Sequence, residues 1–154
     1  MAIRVVTEEA FMGLPFSDQT EARIVQGLRS ARALSVSLVA DEDGEIFGHV
    51  AFSPIHINGV AGDWFGLGPL SVRPDRQRQG TGQMLVRDGL DRLRLMAAAG
   101  CVVFGSPEHY RRFGFEHDPK LVYPGAPEGY FMRIVFRGEP PSGEVAYDPA
   151  FDAT

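Results

Sequence analysis

One cysteine, one lysine and one tryptophan occur in 154 residues, and the first two scarcities remove whole classes of explanation. A single thiol, Cys101, cannot form an internal disulfide or a cysteine cluster for zinc. Set in the apolar run CVVF, it reads as a buried strand residue and not as an acyl carrier, because an apolar setting raises a thiol's pKa. The lone lysine, Lys120, is remote from any glycine-rich loop, so the Gly-Lys-Ser/Thr of an NTPase phosphate loop is absent. No apolar stretch approaches the ~20 residues that cross a bilayer, and MAIRVVTEEAF lacks the basic-then-apolar order of a secretory leader. The expectation is a cytoplasmic protein with no membrane partner. Basic residues are outnumbered, and the net charge of −5 disfavours broad binding to nucleic acid or anionic lipid. A local basic site is still compatible with it.

What is present is globular. Hydrophobic residues make up 44% and charged ones 23%, enough for one ordinary domain that buries roughly 68–70% of its unfolded surface. Ile3 to Val6 reads as a first strand, and Thr7 with Glu8 and Glu9 as the start of a helical region that runs to about Ala33 with a break near Gly13 to Pro15. Ser35 to Ala40 and Glu45 to Ile57 read as antiparallel strands joined by the turn Asp41 to Gly44. Asn58-Gly59 suits a type I′ hairpin, which needs positive φ at both positions. The third strand of this meander, Trp64 to Val72, carries two glycines and Pro69, which predict a bulge or splay. Leu85, Val86, Gly89, Leu90, Leu93, Met96 and Ala97 form one stripe of an amphipathic helix over 82–99, with Gly100 expected as its C-terminal cap. Cys101 to Phe104 follows as an apolar strand, so the strand–loop–helix–strand unit implies parallel or splayed pairing inside a mostly antiparallel sheet. A short helix over Glu108 to Phe113 and a strand over Tyr130 to Phe136 complete the pattern. Residues 139–154 form a tail that either adds an edge strand or stays loose. The class is mixed α/β.

Chemistry concentrates in residues 73–83, RPDRQRQGTGQ, between a strand and the amphipathic helix. A helix N-terminus presents unpaired N–H groups and the positive end of the dipole, and glycines permit close approach, so an anion is accommodated there. Gly80 and Gly82 supply the approach, and Arg73, Arg76 and Arg78 supply three cations in an otherwise acidic chain. A dinucleotide GxGxxG is excluded because position 85 is leucine. The bland alternative is a solvated loop whose arginines reflect a chain in which fourteen of fifteen basic residues are arginine. His49, His56 and His117 show no metal spacing.

Gln77-x-x-Gly80-x-Gly82, after Leu70-Ser71-Val72 and before a helix, resembles the acyl-CoA signature of the GNAT superfamily of N-acetyltransferases. Tyr110-Arg111-Arg112-Phe113-Gly114-Phe115, about 28 residues downstream, resembles that superfamily's Y-x-x-x-G-F element. The likeness extends to a bacterial subgroup, the YhbS-like acetyltransferases. It rests there on Gly68-Pro69-Leu70, Gly105-x-Pro107 and the closing Tyr147-Asp148-Pro149-Ala150-Phe151-Asp152.

The resemblance implies a GNAT-like twisted sheet, splayed into a V-shaped slot between its central strands and flanked by helices. It assigns residues 1–138 to the acetyltransferase domain, with the tail packed on the same domain. It implies acetyl-CoA as co-substrate and no metal. Main-chain groups of Leu70, Ser71 and Val72 would receive the pantetheine arm, and Gln77, Arg78, Gln79, Gly80, Thr81, Gly82 and Gln83 would wrap the pyrophosphate. The Leu70 backbone N–H would polarise the thioester carbonyl, and Tyr110 would protonate the departing thiolate. The acceptor implied is a primary amine, small or on a protein, attacking directly in a ternary complex. Gly66 and Gly68 offer no base, so an ordered water relaying to Asp63, Glu108 or His109 stands beside any direct base, while His109 also reads as a surface residue. The non-enzymatic alternative is an acyl-CoA-binding sensor or regulatory module with the same slot. Either a monomer or a homodimer is compatible with the chain.

Overall fold

The computed structural model describes residues 4–7 and 35–147. The helical region expected up to Ala33 lies outside the described residues. Strands β1 (Arg4–Thr7), β2 (Val36–Glu42), β3 (Glu45–Ile57) and β4 (Val60–Val72) run antiparallel in sequence order. The two hairpin turns follow from their residues: Asp43-Gly44 and Asn58-Gly59 each take positive φ at both positions (52° and 82°; 52° and 78°), the handedness that matches strand twist.

Helix α1 (Thr81–Leu95) then crosses back, and β5 (Gly100–Phe104) pairs parallel to β4. A short helix α2 (Pro107–Tyr110) continues into a 3₁₀ turn over Arg111–Phe113. Four short strands close the sheet: β6 (Glu116–His117), β7 (Leu121–Val122), β8 (Phe131–Val135) and β9 (Gly143–Ala146). The order is β1-β2-β3-β4-β5-β8-β6, with β9 pairing both β7 and the far end of β3 through His56↔Ala146 and Ile57↔Val145. The two-residue strands β6 and β7 have no periodicity of their own and were not expected from the sequence.

One face of α1 buries Leu85, Val86, Leu90 and Leu93 against Val50 and Phe52 of the sheet. Each such fully buried side chain contributes roughly 1.5–3 kcal/mol. A second cluster, Ile55, Trp64, Val102, Leu121, Phe131 and Val145, fills the side closed by β9. His49 is buried between β2 and β4 with its Nε2 2.9 Å from the Ser37 hydroxyl, and burial pushes its pKa down to about 4.

The end of α1 departs from expectation. The helix stops at Leu95, and Ala97 takes the left-handed conformation (φ 62°). The Ala97 N–H bonds the Arg94 carbonyl, and the Ala98 N–H bonds the Leu93 carbonyl, both at 3.0 Å, the paired bonds of a Schellman ending. Gly100 caps nothing. It opens β5, where a Cβ would strike the Trp64 ring and sit 2.6 Å from the Ile134 carbonyl oxygen.

Candidate active site

The site begins where β4 leaves β5. Pairing covers only Trp64↔Gly100, Phe65↔Cys101 and Gly66↔Val102. Beyond Gly66 the two strands part. On the β3 side the register shifts between Val50 and Phe52, so that Gly68 and Pro69 together stand opposite Ala51. This is the irregularity that the glycines and Pro69 predict. One edge of β4 from Leu67 to Val72 therefore has no β5 partner, leaving main-chain groups open to a ligand.

A cleft of about 400 Å³ lies against that edge, lined by Leu70, Val72, Arg76, Gln77, Arg78, Gly80, Gly82, Gln83, His109 and Arg112. Its floor is the N-terminus of α1. Arg78 (φ 66°) and Gly80 (φ 84°) both adopt left-handed backbone, turning the chain sharply into the helix. No side chain caps the first turn and no acidic residue stands in it, so its N–H groups and dipole face outward. Gly80 is required by its φ. Gly82 is not: its backbone is free of that demand, and a Cβ there would meet only Val72 Cγ2, at 3.8 Å. The protein itself would tolerate a side chain at 82, and the space it would fill is the cleft. That fits a group requiring close approach to the amides, as a pyrophosphate does.

Of the expected site residues, Leu70, Val72, Gln77, Arg78, Gly80, Gly82 and Gln83 come together in this wall. The side chains of Ser71, Gln79 and Thr81 do not join them. Ser71 is buried in register with His49, Gln79 is exposed, and Thr81 is buried beside Gly48. Gln77 also acts within the protein, its side-chain amide donating to the Val72 carbonyl at 3.0 Å and tying the loop to the end of β4.

The three arginines of the loop are not equivalent. Arg73 is held by Asp75 (2.6 Å) and Glu45, and Arg76 by Glu42 (2.8 Å) while lying over the Phe47 ring. Arg78 forms no ion pair among the described residues, nor does Arg112, which reaches the cleft from the turn after α2. Arg112 was missed from the sequence. It stands inside the second motif, but nothing in the local sequence marks it as facing the cleft.

Tyr110 sits beside the cleft wall without lining it, between His109 and Arg112, which do. Its ring packs against Phe115 (6.0 Å between centroids) and over Gly105, where a Cβ would strike it. Burial, and secondarily the neighbouring Cys101, raise its pKa above the ordinary 10, so the phenol stays protonated at neutral pH. His109 is half-buried in the wall and not a plain surface residue. Burial, then the Arg112 charge, lower its pKa and favour neutral imidazole. Asp63 is held by Arg137 at 2.6 Å and lies outside the cleft. Cys101 is fully buried and burial pushes its thiol strongly up, which removes it as a nucleophile.

Residues 33–117, which contain the split strands, the amide-rich turn and the tyrosine turn, match the model of the acetyltransferase (GNAT) domain. The chain belongs to the GNAT acetyltransferase family. It is 37% identical over 127 residues to the uncharacterised N-acetyltransferase YhbS of Escherichia coli, covering 79% of this chain and 76% of that one. A GNAT family acetyltransferase from Brucella melitensis, solved in complex with acetyl-CoA, superposes with a TM-score of 0.82 at 41% identity, covering 98% of this chain and 99% of that one. YhbS from E. coli, solved in complex with CoA, superposes at 0.87 with 32% identity, covering 97% and 92%. The GNAT fold is thus shared with both, and the mixed, curled and splayed sheet is its frame. Among the described residues no helix is long and apolar enough to cross a membrane, and no three His, Cys, Asp or Glu side chains converge to hold a metal.

Proposed function

We propose that this GNAT-family enzyme transfers an acetyl group from acetyl-CoA to a primary amine by direct attack in a ternary complex. One observation carries the reading: an uncapped helix N-terminus, with an open Gly82, opens onto the edge of β4 just where β5 has separated from it. A diphosphate at the amides of Thr81 to Gln83, steadied by Arg78 and Arg112, directs the attached thiol arm along Leu70 to Val72, where it pairs like an added strand. Ser71, Gln79 and Thr81 serve through their main chain.

The Leu70 N–H stabilises the oxyanion as the amine nitrogen adds to the thioester carbonyl, a contribution of about 3 kcal/mol in comparable donor sites. As the tetrahedral intermediate collapses, the acetylated nitrogen gives up its surplus proton to water, which in turn replenishes the Tyr110 phenol, while the C–S bond breaks and the electron pair leaves on sulfur. Tyr110, kept protonated by burial, supplies that thiolate with a proton, for which general acid catalysis gives roughly 10²–10⁴-fold. No protein nucleophile takes part. The acetyltransferase domain comprises residues 1–138, the described part of the tail adds β9 to its sheet, and the enzyme works in the cytoplasm.

Tyr110→Phe tests the assignment. Turnover falls by about 10²-fold or more while acetyl-CoA affinity, measured by calorimetry, stays unchanged. Equal turnover in that variant assigns the proton to another group. Acetyl-CoA binding without thiol release on any amine would favour the sensing module instead.

A further inference from the structure

Where β4 leaves β5 lies a second cavity of about 340 Å³, lined by Leu67, Gly68, Phe104, Tyr123 and Tyr147, none of which lines the cleft. We infer that this is the acceptor pocket and that it selects a primary amine carried on an apolar, ring-sized or short-alkyl body, in preference to a polyamine or a lysine-rich segment. The inference rests on the acetyl-transfer reading and adds the class of acceptor to it.

Position is the first argument. Leu67 and Gly68 are the first residues of β4 after its ladder with β5 ends at Gly66, and Leu70, which opens the cleft, is two residues further on. A thioester carbonyl held at Leu70 is therefore within reach of both spaces. Lining is the second. Of the five described lining residues three are aromatic and none carries a formal charge. Tyr123 stands edge-on to Phe104 (5.7 Å between centroids, 87°) and to Tyr147 (5.2 Å, 61°), giving a wall of ring faces and edges suited to flat or alkyl groups. Phe104 is the third argument. It is 45% exposed although it belongs to the otherwise buried strand β5, so folding alone does not account for an aromatic ring there. Tyr147 comes from the segment after β9 and packs directly over Gly66, where a Cβ would lie 2.5 Å from its ring. That contact makes the C-terminal segment a wall of the pocket.

The same lining answers the need for a neutral nucleophile. An alkylammonium ion entering a pocket whose described lining is uncharged is desolvated without a carboxylate among those residues to hold its charge, so its pKa falls and it sheds a proton to solvent. The neutral nitrogen then forms the C–N bond and releases its surplus proton to water, the C–S bond breaks, and the electron pair leaves on sulfur. A pocket built for a polycation would instead place carboxylates at these positions.

The test is steady-state thiol release by the full chain with acetyl-CoA and four amines: phenethylamine, hexylamine, spermidine and a lysine-containing peptide. The expected kcat/KM for the two apolar amines exceeds that for the others by about tenfold or more. Phe104→Ala raises KM for phenethylamine about tenfold and leaves KM for acetyl-CoA unchanged, with Tyr123→Leu as an independent variant on the same wall. A preference for spermidine or the peptide overturns the acceptor assignment and leaves acetyl transfer standing. A KM for phenethylamine indifferent to both variants does the same, whereas no turnover of any amine by protein that binds acetyl-CoA in calorimetry overturns the acceptor assignment together with the transfer reading, in favour of the sensing module. Failure to bind acetyl-CoA at all overturns the transfer reading itself.

Discussion

The two ends of helix α1 are built to opposite specifications. At its C-terminus the chain folds back, Ala97 accepts a left-handed conformation, and the Ala97 and Ala98 N–H groups satisfy the carbonyls of Arg94 and Leu93. At its N-terminus Gly80 turns the chain in, no side chain caps the first turn, and the loop beyond it bonds to β4 instead, through Gln77. With Gly80 at the cap, the start forgoes only a few tenths of a kcal/mol that a Ser, Thr, Asp or Asn there would supply. One end of the helix is finished by the protein, and the other is left for a ligand to finish. The contrast yields predictions that separate binding from stability.

The largest concerns the open end. Gly82→Trp fills the space that a Cβ at 82 would enter, and the expected result is a loss of acetyl-CoA affinity of about a thousandfold or more with a folded, cooperatively melting protein. Calorimetry and thermal denaturation check the two halves. Unchanged affinity would remove the turn from the site. The companion expectation concerns the ligand itself: acetyl-CoA at about 100 times its Kd stabilises the unaltered protein by about 2.7 kcal/mol and leaves the Gly82→Trp protein's melting temperature where it was.

Smaller is the contribution of the second cation. Arg112→Ala weakens acetyl-CoA binding by about tenfold, and the difference shrinks as ionic strength rises, because an exposed arginine acts on phosphate through a screened field. A titration at low and high salt reads this. Arg73→Ala, by contrast, removes a side chain already committed to Asp75 and Glu45, and its affinity change is expected to be the lesser of the two. An equal loss in both variants would mean that the internal ion pairs open on binding.

The asymmetry also explains what could be read from the chain. The open end was legible because its demands are local: Gln77, Gly80 and Gly82 stand at fixed spacing before an amphipathic stripe, and positive φ at Asn58-Gly59 and Asp43-Gly44 is likewise a property of the residues there. The split between β4 and β5 was foreseeable from Gly66, Gly68 and Pro69 for the same reason. What escaped depends on tertiary contact. Gly100 was expected as a cap since glycine after a helix usually is one, yet its constraint comes from Trp64 and Ile134, distant in sequence. Arg112 gained its place from a turn whose direction nothing local announces. The strands β6 and β7 exist only because β8 and β9 are there to pair with.

The smallest effect tests the closed end. A left-handed conformation costs an L-residue roughly 1–2 kcal/mol, and glycine at the same position is free of it. Part of that gain is returned, since glycine has more conformational entropy to lose on folding. Ala97→Gly is therefore expected to stabilise the protein by about 1 kcal/mol, a rise in melting temperature of about 2–4 °C for a chain of this size. Acetyl-CoA affinity should not move, because Ala97 lies at the other end of a fifteen-residue helix from the cleft. If the affinity changed along with the melting temperature, the two ends would be coupled through α1, and the division of labour drawn between them would fail.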